Sequence, residues 1–375
     1  MPTRRGHHEG TIRQRPDGTW EVRLSLAGGR RKSLYAKTRR EVQDKLRATQ
    51  RDLDVGVDVG ARQQTVGQFL TRWLEDTARP TIRPSTYASY AGHVHHHLIP
   101  ALGHYPLAKL TPQHVQKLLN DKQQAGLSPR TVAYMRAVLR RALGYAVKWS
   151  LVSRNVATLV DPPRAVQKPV QPLSAAQVRI LLDATKDDRL GPLIHVAIAT
   201  GLRQGELFGL RWRDTDLDTG TLHVRYAMQR IDGVPTFVEP KTALSRRTIP
   251  LPPSAVAALR TQRLRQIEDR LLAGSRWQDW DLVFASGIGT PLDSRNVTTR
   301  FQRLLSKVGL PRQRFHDLRH CAASLLLAGG VPPRTIMGLL GHSQISLTMN
   351  TYAHLSPALE RDAADRMETF LAKSS

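Results

Sequence analysis

Phe315-His316-Asp317-Leu318-Arg319-His320, then Leu340-Gly341-His342-Ser343, then Thr351-Tyr352: this stretch near the C-terminus decides the reading of the chain. His316 and Arg319 are three positions apart, so on a helix they share a face. Cys321 to Leu327 reads as a buried helix, stopped by Gly329-Gly330. Pro332-Pro333 opens another helix, which Gly341 ends at a C-cap-like position. Two basic side chains, a second histidine and a late tyrosine suit a site that holds an anion and attacks it with a phenol. The plainer alternative is a helical core with surface His and Arg.

Working outward, Ile194 to Thr200 is apolar and leads into Gly201-Leu202-Arg203-Gln204-Gly205-Glu206-Leu207. Arg203 and Glu206 are again three apart, so the carboxylate can orient the guanidinium. Taken together, these boxes resemble the tyrosine recombinase (phage integrase) family. That family carries an Arg in a Gly-Leu-Arg-x-x-Glu box, a Lys on a β-turn, a His-x-x-Arg box, a Leu-Gly-His box and a nucleophilic Tyr. The positions that match here are Arg203 with Glu206, Lys241, His316 with Arg319, His342 and Tyr352, in family order. The resemblance is strong from about Pro172 onward and looser upstream.

Composition points the same way. The chain has 375 residues, enough for two or three domains, and a formal net charge of +25. So basic a chain expects a polyanion, most often nucleic acid. No apolar run approaches the roughly 20 residues that span a bilayer, so no membrane role is expected. The N-terminus has no apolar signal region. Cys321 is the single cysteine, which excludes an intramolecular disulfide and suits a small buried residue. A cytoplasmic, nucleoid-associated bacterial protein is expected.

The fold class expected is multidomain and mainly α. Residues 1–62 read as a small three-stranded sheet plus a helix. Strands at Gly10 to Arg15, Thr19 to Leu26 and Arg30 to Ala36 precede a helix from about Arg39 to Leu53, with Thr38 as its cap. In the middle strand Trp20, Val22, Leu24 and Leu26 make an apolar face, and Glu21, Arg23 and Ser25 a polar one. This resembles the arm-type DNA-binding domain of phage integrases, with Arg13, Arg15, Arg23, Arg30, Arg31 and Lys32 as candidate DNA contacts. Residues 63–161 read as four helices, started by Thr65, Pro84, Thr111-Pro112 and Ser128-Pro129. They resemble the family's core-binding domain, with Arg83, Arg130 and Lys148 as phosphate contacts that give affinity rather than sequence information. His93, His95, His96 and His97 lie too close together along a helix to converge on one ion, so no metal is expected.

Residues 162–172 form a stiff Pro-rich linker, and 173–375 a mixed α+β catalytic domain with a small antiparallel sheet and a C-terminal tail helix. Its strands are expected at Thr221 to Met228, Val234 to Val238 and Arg247 to Leu251. Lys241 then falls in the turn between the last two, with Arg246 and Arg247 as nearby alternatives.

The resemblance implies phosphoryl transfer on duplex DNA. Arg203 and Arg319 would offer forked donors to the non-bridging oxygens, and His342 a further hydrogen bond. Tyr352 would attack phosphorus and form a 3′-phosphotyrosine, with His316 as base and Lys241 as the acid for the departing 5′-oxygen. The covalent link conserves bond energy, so neither ATP nor a cofactor is required. The expected activity is that of a site-specific integrase of a phage or mobile element. Its expected partners are double-stranded attachment-site DNA, three further copies in a tetramer on DNA, a directionality factor and a host DNA-bending protein. A type IB topoisomerase-like enzyme and a non-catalytic DNA-binding regulator are the alternatives.

Overall fold

The structure, a computed structural model, describes residues 11–25, 31–54, 64–164, 171–239, 246–341 and 367–368. Arg30, Lys241, His342 and Tyr352 lie outside these residues, as does the expected tail helix except for Met367 and Glu368. The chain divides into two compact units, residues 1–167 and 168–375.

In the first unit, strands Thr11–Gln14, Trp20–Ser25 and Arg31–Ala36 form an antiparallel meander. The Thr38 hydroxyl accepts the Glu41 N–H at 3.2 Å and begins the helix Arg39–Asp54. Val22, Ala36 and Val42 form the core between sheet and helix. The alternation in the middle strand departs from the sequence expectation at Glu21, which is only 1% exposed. Its cross-strand neighbours are the reason. Glu21 lies opposite Arg13 on one side and Tyr35 on the other. Arg13 and Arg23 close over the carboxylate at 2.7 and 2.8 Å, and the Tyr35 hydroxyl donates to it at 3.3 Å. The hydrogen bond from Arg23, then that from Arg13, lowers the Glu21 carboxyl to about 2.

Residues from Val66 onward build four helical rods around a core that includes Phe69, Trp73, Leu98, Leu119, Met135 and Leu139. Thr65, Thr111 and Ser128 cap three of them, each accepting a backbone N–H one turn in. The first two rods each contain one π-helical turn, at Leu74–Ala78 and Val94–Leu98. Each turn ends two residues before a proline, Pro80 or Pro100. A proline cannot donate to the i−4 carbonyl and its ring crowds that carbonyl, so a wider turn relieves the clash without ending the rod.

The second unit centres on the helix Gly191–Thr200, whose apolar residues are buried nearly all round. It packs against the helices Pro253–Ala273 and Asp317–Ala328. The helix Pro333–Leu340 lies on Asp317–Ala328 through Ala323, Leu327, Ile336 and Leu340. Thr221 to Met228 is not one strand, as expected from sequence, but two. Thr221–Val224 pairs with Thr215–Asp216 and with Arg247–Pro250, whereas Ala227–Ile231 forms a separate hairpin with Val234–Val238. The break follows from packing: a Cβ on Gly209 would meet the Met228 nitrogen at 2.7 Å, so the backbone at 227–228 runs directly against Gly209 instead of continuing the first sheet. Asp232 and Gly233 turn the hairpin with φ of 50° and 82°, the paired left-handed conformation of a type I′ turn.

Candidate active site

Three chain segments meet at the C-terminal end of the helix Pro333–Leu340. The first is the turn after Gly191–Thr200. Gly201 caps that helix with φ 60°, and a Cβ there would lie 2.3 Å from the Leu340 side chain. Both the conformation and the space require glycine. Arg203 follows in extended conformation, as the N-cap of the short helix Gln204–Phe208. One turn on, Glu206 returns a carboxylate to it. Glu206 accepts the Arg203 N–H at 3.0 Å through Oε2 and Arg203 Nη1 at 2.8 Å through Oε1.

The second segment is the start of the helix Asp317–Ala328. Asp317 is buried and bound by Arg314 at 2.7 Å, which anchors the first turn. That turn points Arg319 inward, where it is only 3% exposed. Its Nη1 donates to the Gly201 carbonyl at 2.7 Å and its Nη2 to the Leu340 carbonyl at 2.8 Å. His316 sits just before the helix with one side open to solvent. Desolvation by the protein packed around it, then the charges of Arg319 and His320, hold its imidazole below the ordinary range.

The third segment is the strand Arg247–Pro250. Arg247 is 7% exposed, donates to Glu206 Oε2 at 3.0 Å and reaches the Leu339 carbonyl at 2.6 Å through Nε. It is a buried ion-pair residue, not a free cation available as an alternative to Lys241. Burial raises the Glu206 carboxyl, but Arg247 by charge and hydrogen bond, together with Arg203, outweighs that and holds it below its ordinary range.

Arg203 Nη2 donates to the Gly341 carbonyl at 2.9 Å. The successive carbonyls of Leu339, Leu340 and Gly341 thus each accept from a different arginine: Arg247, Arg319 and Arg203. Carbonyls at a helix C-terminus lack intrahelical partners and carry negative partial charge, which suits three guanidinium donors. Of the sequence-derived candidates, Arg203, Glu206 and Arg319 come together here, with His316 one turn from Arg319. Arg247 and Gly201 are members of the cluster that the sequence reading did not assign to it. The signal for Arg247 was strand alternation, because Arg247 and the buried Ile249 share the inward face.

Elsewhere, Arg13, Arg15, Arg23 and Arg31 are exposed and Lys32 is half-buried. Arg83, Arg130 and Lys148 are exposed on the helical rods. Cys321 is buried, takes the Leu173 N–H on its sulfur, and burial raises its thiol to about 11. Among the described residues no group of three or more His, Cys, Asp or Glu is arranged to hold a metal ion, and no helix is long and apolar enough to cross a membrane.

The phage integrase family pattern matches residues 171–358, half of the chain, and the family's N-terminal SAM-like domain matches 65–123. The chain belongs to the phage integrase family, the tyrosine site-specific recombinases. A tyrosine recombinase XerC-like protein of Caldanaerobacter subterraneus is 30% identical over 90% of this chain and 91% of its own. An integrase of Streptomyces ambofaciens is 31% identical over 96% and 94%. The fold of this integrase-family chain is shared with the Tn1549 transposon integrase, solved in complex with a circular intermediate DNA. That match has a TM-score of 0.68 at 23% identity, over 81% of this chain and 99% of that one. It is also shared with a lambda integrase dimer bound to a core site, with a TM-score of 0.56 at 19% identity, over 91% and 93%.

Proposed function

We propose that this recombinase integrates a phage or mobile element by cutting and rejoining DNA at attachment sites, working as a tetramer on DNA in the bacterial cytosol. Arg203 and Arg319 neutralise the scissile phosphate. Tyr352 attacks phosphorus, the bond to the 5′-oxygen breaks, and a 3′-phosphotyrosine forms. Lys241 protonates the departing 5′-oxygen and His316 accepts the phenolic proton. His342 adds a hydrogen bond to the phosphate as its charge builds. Glu206 supports Arg203. A second DNA end then attacks the phosphotyrosine and reseals the strand. Residues 1–62 hold arm-type sites through their basic sheet, and residues 63–161 grip the core site. A directionality factor and a DNA-bending host protein complete the assembly.

The observation that carries this reading is the convergence of Arg203 and Arg319, from two separate boxes, on one helix end, with His316 at the start of the helix that carries Arg319. The test is incubation with two duplexes carrying the element's attachment sites, without ATP and with a chelator present. Joined recombinant strands are the expected product. Relaxation of supercoils without recombination would instead indicate a topoisomerase, and binding without any cleavage would indicate a regulator.

A further inference from the structure

Arg247 lies outside the residue set used above, yet it touches two parts of the cluster. Its Nη2 bonds Glu206 Oε2 and its Nε bonds the Leu339 carbonyl. At 7% exposure it is far less open than Arg203, whose side chain is 38% exposed. Glu206 is accordingly shared: one oxygen faces Arg203 Nη1, and the other takes Arg247 and the Arg203 N–H. A carboxylate bound from one side only could swing about its side-chain torsions with its guanidinium. Bound from both sides, it becomes a fixed post. A planar guanidinium can hold two acceptors in a set geometry, which an ammonium cannot.

We propose that Arg247 is a positioning residue of the cleavage site: through Glu206 it aims the Arg203 guanidinium, and through the Leu339 carbonyl it pins the helix end that Arg203 and Arg319 also cap. This rests on the reading given under Proposed function. Arg247 does not itself meet the phosphate. Its loss lets Glu206 follow Arg203 and leaves the Leu339 carbonyl without that donor, so the fork at the phosphate is present but misaligned. Such a defect lies in the transition state more than in DNA affinity.

The experiment measures covalent-adduct formation at saturating DNA, and Kd, with a nicked duplex that the protein has selected from a random library. Arg247→Gln should slow adduct formation by about tenfold or more and change Kd by less than about twofold. In a double-mutant cycle, Glu206→Gln should cost clearly less in the Arg247→Gln background than in the wild type, because both act through the same contact. Arg203 acts on the phosphate charge. The Arg247→Gln deficit should therefore shrink, as should that of Arg203→Ala, when a methyl group replaces one non-bridging oxygen at the scissile phosphate. A general loss of folding would leave the deficit equal on both substrates. If Arg247→Gln does not fold, Arg247→Lys carries the test: it keeps the charge beside Glu206, loses the second arm, and should be slower at unchanged Kd. Unchanged cleavage rates, independent multiplicative losses in the cycle, or a loss confined to Kd would overturn the proposal. Absence of any adduct from the wild type would instead overturn the cleavage reading on which it rests.

Discussion

Glu206→Gln isolates the buried charge at the centre of the arginine cluster. Glu206 is 4% exposed and meets Arg247, 7% exposed, at 3.0 Å and Arg203, 38% exposed, at 2.8 Å. The glutamine has nearly the same shape, but its amide NH2 must face a guanidinium, donor against donor. Removing one partner of a buried pair costs about 3–5 kcal/mol. The Arg203 contact is partly solvated and is discounted, so the lower end, about 3 kcal/mol, is expected. For a unit of this size that lowers the unfolding midpoint by roughly 6–12 °C. Differential scanning calorimetry of the full chain reads it. The pH dependence gives an independent check. The folded carboxyl lies below its ordinary value, so its contribution is complete above about pH 4.3. It is lost only as pH falls through the lowered folded value. The gap between wild type and variant should therefore stay constant from pH 8 to 5 and close on further acidification. A gap under about 1 kcal/mol at pH 7, or one that widens in acid, would refute the view of Glu206 as a buried anion shared by two arginines.

Three further outcomes follow from the same structure. Gly201→Ala combines a φ of 60° with a Cβ 2.3 Å from Leu340; it should cost at least about 1–2 kcal/mol and slow adduct formation, whereas Gly92→Ala, which meets nothing within 4 Å, should be mild in both assays. Cys321, with its thiol raised to about 11, should resist alkylation at pH 8 in the native chain and react on unfolding; fast native labelling would contradict its burial. DNA binding should weaken steeply with salt, with a log–log slope of about −0.9 for each phosphate contact, and a slope near zero would contradict a basic grip on the backbone.

Much of the fold was legible because local chemistry marked it. Thr38, Thr65, Thr111 and Ser128 were readable as caps, and each accepts a backbone N–H at a helix start. Gly341 takes the left-handed conformation expected of a C-cap. What could not be read was set by contacts between distant segments. The break after Val224 depends on the closeness of Gly209, and nothing within residues 221–228 announces it. Glu21 looked like a solvated strand residue until its neighbours across the sheet proved to be Arg13 and Tyr35. Arg203 with Glu206 was legible because the pair is one helical turn apart. Arg247 was not assigned a place beside them because its partners lie 41 and 92 positions away along the chain.

Strand cleavage through a covalent link to Tyr352 underlies the proposed reaction. Its most direct test is to quench the reaction of the full chain with a nicked attachment-site duplex, digest the product, and identify by mass spectrometry the peptide that carries the nucleotide. Attack by Tyr352 predicts a 3′-phosphate ester on that residue and no adduct from Tyr352→Phe, which should still bind the duplex. A nucleotide on Tyr226 or Tyr145, or an adduct of undiminished yield from Tyr352→Phe, would contradict it.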